Sequence, residues 1–273
     1  MNTRPRWSVV IPYYNERGFL PDTLGSLAAQ SHKPFKLILV DNASTDGSVD
    51  VCKSALEGVD GVEVVHIHEA NPGQCNALET GIAAADTELI AICDADTHYA
   101  PTYLARATMQ FDKASDDVVA VLATALYDAP DSFDSFKRRL KARIVPHVLR
   151  RQCHSGGYGH TFRTEALKRA GGYSRKLWPH LRKDHEMMHR VLKQGRAVHD
   201  PHLWCRANDR RDVATQKRWT LGERILYHIT PFQLKDWFFY RYLGPRMARR
   251  KMDELKLRER PWEHSGEGAS SAP

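Results

Sequence analysis

The stretch ELIAICDADTHYAP, residues 88–101, decides how this chain of 273 residues is read. Its first half, Glu88–Cys93, is an apolar run of strand length. Its second half sets two carboxylates, Asp94 and Asp96, one residue apart just beyond that run. Short apolar runs closed by turn chemistry read as buried strands. Four others have the same form: Trp7–Pro12 (WSVVIP), Phe35–Val40 (FKLILV), Val62–Ile67 (VEVVHI) and Val118–Ala123 (VVAVLA). Helical patterns fill the gaps. One runs from Pro21 to Gln30, with proline in the first turn. The next follows Asp46, read as its N-cap, with Val49, Cys52 and Leu56 on one face and Gly58 as the stop. Two more cover Gly73–Ala84 and Pro101–Lys113. Alternation of this kind predicts an α/β fold: a mostly parallel sheet flanked by helices. Ligands of such sheets gather beyond the carboxyl ends of the strands, which places Asp94 and Asp96 on the functional rim.

After residue 125 the pattern loosens. Helices are expected over Ser132–Leu149 and Thr164–Ala170, joined through the glycine-rich HSGGYGH (154–160), and over Asp184–Gln194. A short extended piece and a basic, aromatic region follow. The last nine residues, SGEGASSAP (265–273), have the composition of a disordered tail.

With 42% hydrophobic and 27% charged residues the composition is that of a soluble globular protein. Its apolar runs stop far short of the roughly 20 residues that span a bilayer. The N-terminus enters a strand without a signal-peptide core, so the expectation is a cytoplasmic protein. The five cysteines are scattered and form no C-x-x-C pair, which makes reduced thiols the default. The net charge of +7 implies an anionic partner without choosing among nucleotide, nucleic acid and membrane. No nucleic-acid reading motif accompanies the basic residues. No G-x-G-x-x-G follows the first strand, which excludes a dinucleotide-dependent oxidoreductase.

Asp94 and Asp96 have two readings. They cap the next helix or shape its turn, or they hold Mg²⁺ or Mn²⁺, which bind carboxylates, water and phosphate oxygens together. The other strand ends weigh toward the second: PYYNE (12–16), VDNASTDGS (40–48) and NPGQCNALETG (71–81) should open on the same rim. These motifs with CDADTHYAP, and further on GHTFRTEALKRAGGY (159–173) and KDHEMMHRVLKQG (183–195), resemble the family-2 glycosyltransferases over roughly residues 7–200.

The resemblance implies the GT-A (Rossmann-like) fold and an inverting transfer from a nucleotide-sugar donor, a UDP-sugar in many relatives, to a saccharide or lipid-linked acceptor. Pro12, Tyr14 and Glu16 would border the nucleobase pocket, and Asp41 would accept from the base edge. Gly73 belongs to the donor-binding set. Asp94 would contact ribose or the metal-bound diphosphate, and Asp96 would ligate the Mn²⁺ or Mg²⁺. Asp184 falls where the family places its catalytic base. The division implied is 1–125 for the donor-binding half, 126–222 for the acceptor half, 223–264 for a helical extension and 265–273 for the tail. Departures from the family pattern are Lys183 in place of the acid before Asp184, with Glu186 as a substitute, and Asn42 in place of a common second aspartate.

Arg210 and Arg211 are read either as forks closing over the diphosphate or as a solvated basic loop. His180, His185 and His189 are read as surface or supporting groups rather than metal ligands. Between 224 and 260 ten basic residues face four acids, interleaved with aromatics. That composition suits a peripheral contact with the inner face of a membrane, and equally aromatics packed on the catalytic domain with a charged outer face. Two other functions compete: a non-catalytic nucleotide-sugar or membrane-surface binding module, for which Lys183 is the one hint, and a sugar nucleotidyltransferase, which would carry a glycine- and arginine-rich loop after the first strand.

Overall fold

Each of the five apolar runs forms a strand in the computed structural model, which describes residues 4–127, 129–148, 151–153, 156–208 and 219–255. Strands β1 (Trp7–Tyr13), β2 (Phe35–Asp41), β3 (Val62–His68) and β4 (Leu89–Ile92) run parallel in the order β3-β2-β1-β4. Along β1, Val9 and Ile11 enter the core on one face of the sheet and Val10 on the other. Both alternating sets are apolar because helices cover both faces. Helices α1 (Leu20–Ala28), α2 (Ser48–Ala55) and α4 (Tyr103–Lys113) line the first face. Helix α3 (Gln74–Ala84) lines the second, joined by α6 (Thr164–Arg169) and α7 (Lys183–Val191).

The sheet continues beyond β4 as β7-β6-β8-β5, giving eight strands. The five-strand reading omits β5 (Thr97–Tyr99) and β7 (His160–Arg163), and it shortens β8 (Arg196–Ala207) to an extended piece. At three and four residues, β5 and β7 are too short to show a period. Strand β7 runs antiparallel between β4 and β6 (Val118–Leu126), so the second half of the sheet is mixed. The cap of α2 also differs from expectation. Gly47, at φ 84°, holds the N-cap position, and Asp46 instead accepts from the Ser48 N–H and hydroxyl. All five cysteines are buried free thiols. Burial pushes the Cys52 thiol up to about 12.

Within 224–255 several of the aromatics pack against the rest of the chain. Helix α8 (Leu221–Ile229) opens on a reciprocal Thr220–Glu223 capping box. A π-helical turn, Trp237–Leu243, and α9 (Gly244–Arg249) follow. Tyr227, Phe238, Phe239, Leu243 and Met247 close a third core around Trp178. Lys235 is enclosed with them, its ammonium 3.8 Å from the Tyr227 ring centre, and burial lowers its pKa to about 8. No helix among the described residues is long and apolar enough to cross a membrane.

Candidate active site

Parallel pairing sets Tyr13, Asp41 and His68 side by side at the ends of β1, β2 and β3. Pro12 is buried one residue inside β1, and Tyr14, half-buried, leads the chain out. Asn15 takes a left-handed turn (φ 52°) tied to the next loop: its N–H donates to Ser44 Oγ and its Oδ1 accepts from Thr45 N–H. Glu16 donates its N–H to Ser48 Oγ at 2.8 Å, and its carbonyl accepts from Phe19 and Leu20 at the start of α1. Asp41 is 6% exposed; Oδ1 accepts from Ser44 N–H, and Oδ2 lies 3.0 Å from His68 Nδ1.

Asn42 explains its own departure from aspartate. Its amide donates to the carbonyls of Glu69 and Asn71, and its Oδ1 accepts from Gly73 N–H. An aspartate has no N–H for the first two bonds. Gly73 sits at φ 127°, and a Cβ there would come 3.0 Å from Glu254 Oε1 and 3.2 Å from Leu255. The packed C-terminal segment therefore accounts for this glycine, whether or not a donor also touches it.

Asp94 and Asp96 are both half-buried on the turn between β4 and β5. The Asp94 N–H donates to the Tyr99 hydroxyl at 2.9 Å, and that hydroxyl donates to the Tyr158 carbonyl at 3.1 Å. Gln74 Nε2 reaches Asp94 Oδ1 at 3.2 Å. Two hard carboxylates on one turn fit a divalent cation whose remaining ligands are diphosphate and water. The fit depends on those added ligands: among the described residues no group of three or more His, Cys, Asp or Glu is arranged to hold a metal by itself.

Asp184 stands in the first turn of α7, half-buried, and accepts from the Tyr173 hydroxyl at 2.9 Å. Burial pushes the Tyr173 phenol well up, with the charges of Asp184 and Asp94 adding to it. A Cβ on Gly157 would fall 2.4 Å from Asp184 Oδ1, so the glycine-rich loop is small where the carboxylate needs room. Lys183 turns away from its neighbour. Its ammonium donates to Gln74 Oε1 at 2.7 Å and to Glu254 Oε2 at 2.8 Å. Burial alone would lower the Lys183 pKa, but Cys75, Glu254 and Asp184 outweigh it and hold it above the usual lysine range. Glu254 also accepts from Cys75 N–H at the start of α3 and from Arg175. A continuous chain, Glu254–Lys183–Gln74–Asp94, thus joins the C-terminal segment to the rim.

A family model described as glycosyl transferase family 2 matches residues 8–169, more than half the chain and all of the rim just described. This chain belongs to glycosyl transferase family 2.

Among its family-2 relatives is an uncharacterized glycosyltransferase, alr2836, of Nostoc sp., 36% identical over 115 residues. That match covers 42% of this chain and 35% of the relative. An undecaprenyl-phosphate 4-deoxy-4-formamido-L-arabinose transferase of Serratia proteamaculans is 31% identical over 157 residues, covering 56% and 46%. The matches span less than half the length of these curated relatives. Among solved structures, the mannosyltransferase PcManGT of Pyrobaculum calidifontis, in complex with GDP-Man and Mn²⁺, superposes with a TM-score of 0.61 at 20% identity, over 100% of this chain and 78% of that one. S. aureus TarS 1–349 with UDP-GlcNAc gives 0.58 at 18%, over 95% and 77%. These likenesses show the GT-A fold.

Within this family-2 site two expectations are corrected or left aside. Glu186 does not stand in for the acid replaced by Lys183: it is 1% exposed, holds Arg190 at 2.7 Å and accepts from the Tyr240 hydroxyl. Arg210 and Arg211 lie outside the described residues. Two of the histidines pack among aromatics. His189 packs between Phe232 and Phe239 with Nε2 at Asp236, and His185 packs against Trp219 and Tyr227. Glu254, Tyr173 and Gly157 escaped sequence reasoning; of these only Gly157 had a signal, the cluster of glycines around it.

Proposed function

We propose that this chain transfers a sugar, with inversion, from a nucleoside-diphosphate sugar (a UDP-sugar by the family resemblance) to a hydroxyl of a saccharide or lipid-linked acceptor. The observation that carries the reading is the placement of Asp184. Tyr173 and Gly157 fix its carboxylate on the wall that Gln74 and Lys183 join to Asp94.

An acceptor hydroxyl is a weak nucleophile until a base takes its proton. Asp184 does so as the oxygen attacks the anomeric carbon in line with the departing diphosphate, so that one displacement inverts the centre. Asp94 and Asp96 would hold Mn²⁺ or Mg²⁺, which would supply Lewis-acid stabilisation of the charge growing on the leaving group. Pro12, Tyr14, Glu16 and Asp41 border the base, and Asp94 faces the ribose or diphosphate. Gly73, Arg210 and Arg211 complete the donor-binding set. The reading agrees with a solved neighbour bound to GDP-Man and Mn²⁺, another bound to UDP-GlcNAc, and a relative named for undecaprenyl phosphate. Lys183, the one hint of a binding module, has a structural partner of its own in Glu254 at 2.8 Å. A cytoplasmic enzyme working at the inner membrane surface fits a lipid-linked acceptor.

The test is a thermal-shift panel of UDP, GDP, dTDP and CDP with and without Mn²⁺, followed by donor turnover. A ligand at a hundred times its Kd adds about 2.7 kcal/mol. Stabilisation by one nucleotide only with metal, abolished in Asp96→Ala, is expected. Turnover in Asp184→Asn should fall about 10²- to 10⁴-fold. No metal-dependent response to any nucleotide, or full turnover in Asp184→Asn, overturns the proposal.

A further inference from the structure

Over residues 133–145, helix α5 (Phe133–Val148) turns most of its large apolar groups outward. Among its described side chains the less exposed positions are Asp134, Ser135, Arg138, Arg139, Ala142 and Val145. Phe133, Phe136, Leu140 and Ile144, spaced three or four apart, are instead 73, 60, 47 and 53% exposed. Lys137, Lys141 and Arg143 are exposed beside them. Helix α8 repeats the arrangement. Leu221, Ile225 and Ile229 are 73, 50 and 67% exposed with Arg224 alongside, while Glu223 and Tyr227 are buried. The two helices are coupled: Gln152, just past α5, donates to the His228 carbonyl at 3.0 Å and meets His228 Nδ1 at 2.7 Å. Apolar stripes of this length mark surfaces that are covered in use.

The charge around them identifies the cover. Five of the seven residues 137–143 are basic, and Asp134 is occupied by Arg138 at 2.6 Å. Apolar stripes rimmed by Lys and Arg match the boundary between acyl chains and anionic headgroups. The position fits too. The Arg138 guanidinium lies over Tyr127, whose hydroxyl is 3.2 Å from that of Tyr158, the neighbour of Gly157 against Asp184. We propose that the outward faces of α5 and α8 dock on an anionic lipid bilayer beside the Asp184 wall. This places the membrane contact on α5 and the opening helix of the extension. The aromatics of 237–243 largely serve the third core instead.

The proposal stands on surface geometry, so it fails separately from the chemistry of Asp184. The experiment is sedimentation of the full chain, without donor, on phosphatidylcholine–phosphatidylglycerol vesicles and on pure phosphatidylcholine. Binding to the mixed vesicles is expected, about tenfold or more weaker on the neutral ones and in high salt. The triple variant F136S/L140S/I144S and the double variant I225S/I229S should each lose about tenfold or more, with unchanged melting temperature because these side chains are exposed. Asp184→Asn should bind as wild type. Absent vesicle binding, equal binding to neutral vesicles, or binding retained by both surface variants overturns it. So does a wild-type dimer that F136S/L140S/I144S converts to monomer without any vesicle binding, which would make the cover a second copy of this chain.

Discussion

The strand-end rim and the Asp184 wall are built in opposite ways. On the rim, each group sits at the end of a parallel strand, and the loops brace one another across about 30 residues: Asn15 to Ser44, Glu16 to Ser48, Asn42 to Gly73. On the wall, Asp184 is set by Tyr173 and Gly157, while its neighbour Lys183 reaches Gln74 and Glu254, residues 109 and 71 positions away. A rim of many short braces tolerates losing one. A wall with few partners does not.

The largest effect should come from Glu254→Gln. Removing the charge leaves buried Lys183 uncompensated and is expected to cost about 3 kcal/mol in urea unfolding. The double variant Lys183→Met/Glu254→Gln should recover most of it. Lys183 and its hydrogen-bond donors outweigh burial and lower the Glu254 pKa. Its contribution is therefore full above the ordinary glutamate range and is lost as pH falls through the lower folded value; Glu254→Gln should flatten that acid limb. Gly157→Ala comes next. The new methyl displaces the Asp184 carboxylate, and kcat should drop about 100-fold with little change in melting temperature, because only side-chain ends must yield. Tyr173→Phe, which removes one charge-assisted bond, should lower kcat about tenfold. Ser44→Ala on the rim should cost less than about 1 kcal/mol, with KM for donor moving more than kcat. Equal losses from Ser44→Ala and Tyr173→Phe would erase the distinction between the two regions.

The same contrast explains what the sequence told. The parallel half was legible because its strands are buried on both faces and punctuated by turns, and the rim because a strand end and its motif are neighbours in the chain. Asp184 was legible only by resemblance, since a helix-initial aspartate alone reads as a cap. Strand β7 was not legible: HTFR gains its partners β4 and β6 from residues roughly 40 to 70 positions earlier. Nor was the fate of Glu186, because a glutamate in a helical pattern carries no sign of whether Arg190 and Tyr240 will enclose it. The buried aromatics around Trp178 had two readings by composition, and the structure settles them as core while moving the apolar surface to α5 and α8.

The bond from Cys75 N–H to Glu254 closes a loop of 179 residues. Chains are made from the N-terminus, and early segments fold as they emerge. The strand-end rim is therefore made well before the carboxylate that seals α3 and pairs with Lys183. A ribosome-bound chain stalled before residue 252 would hold its sheet, its Asp94 turn and its Asp184 helix, yet carry an uncompensated cation between them. The fold is in this sense assembled in reading order, with a late-made segment acting as the clasp.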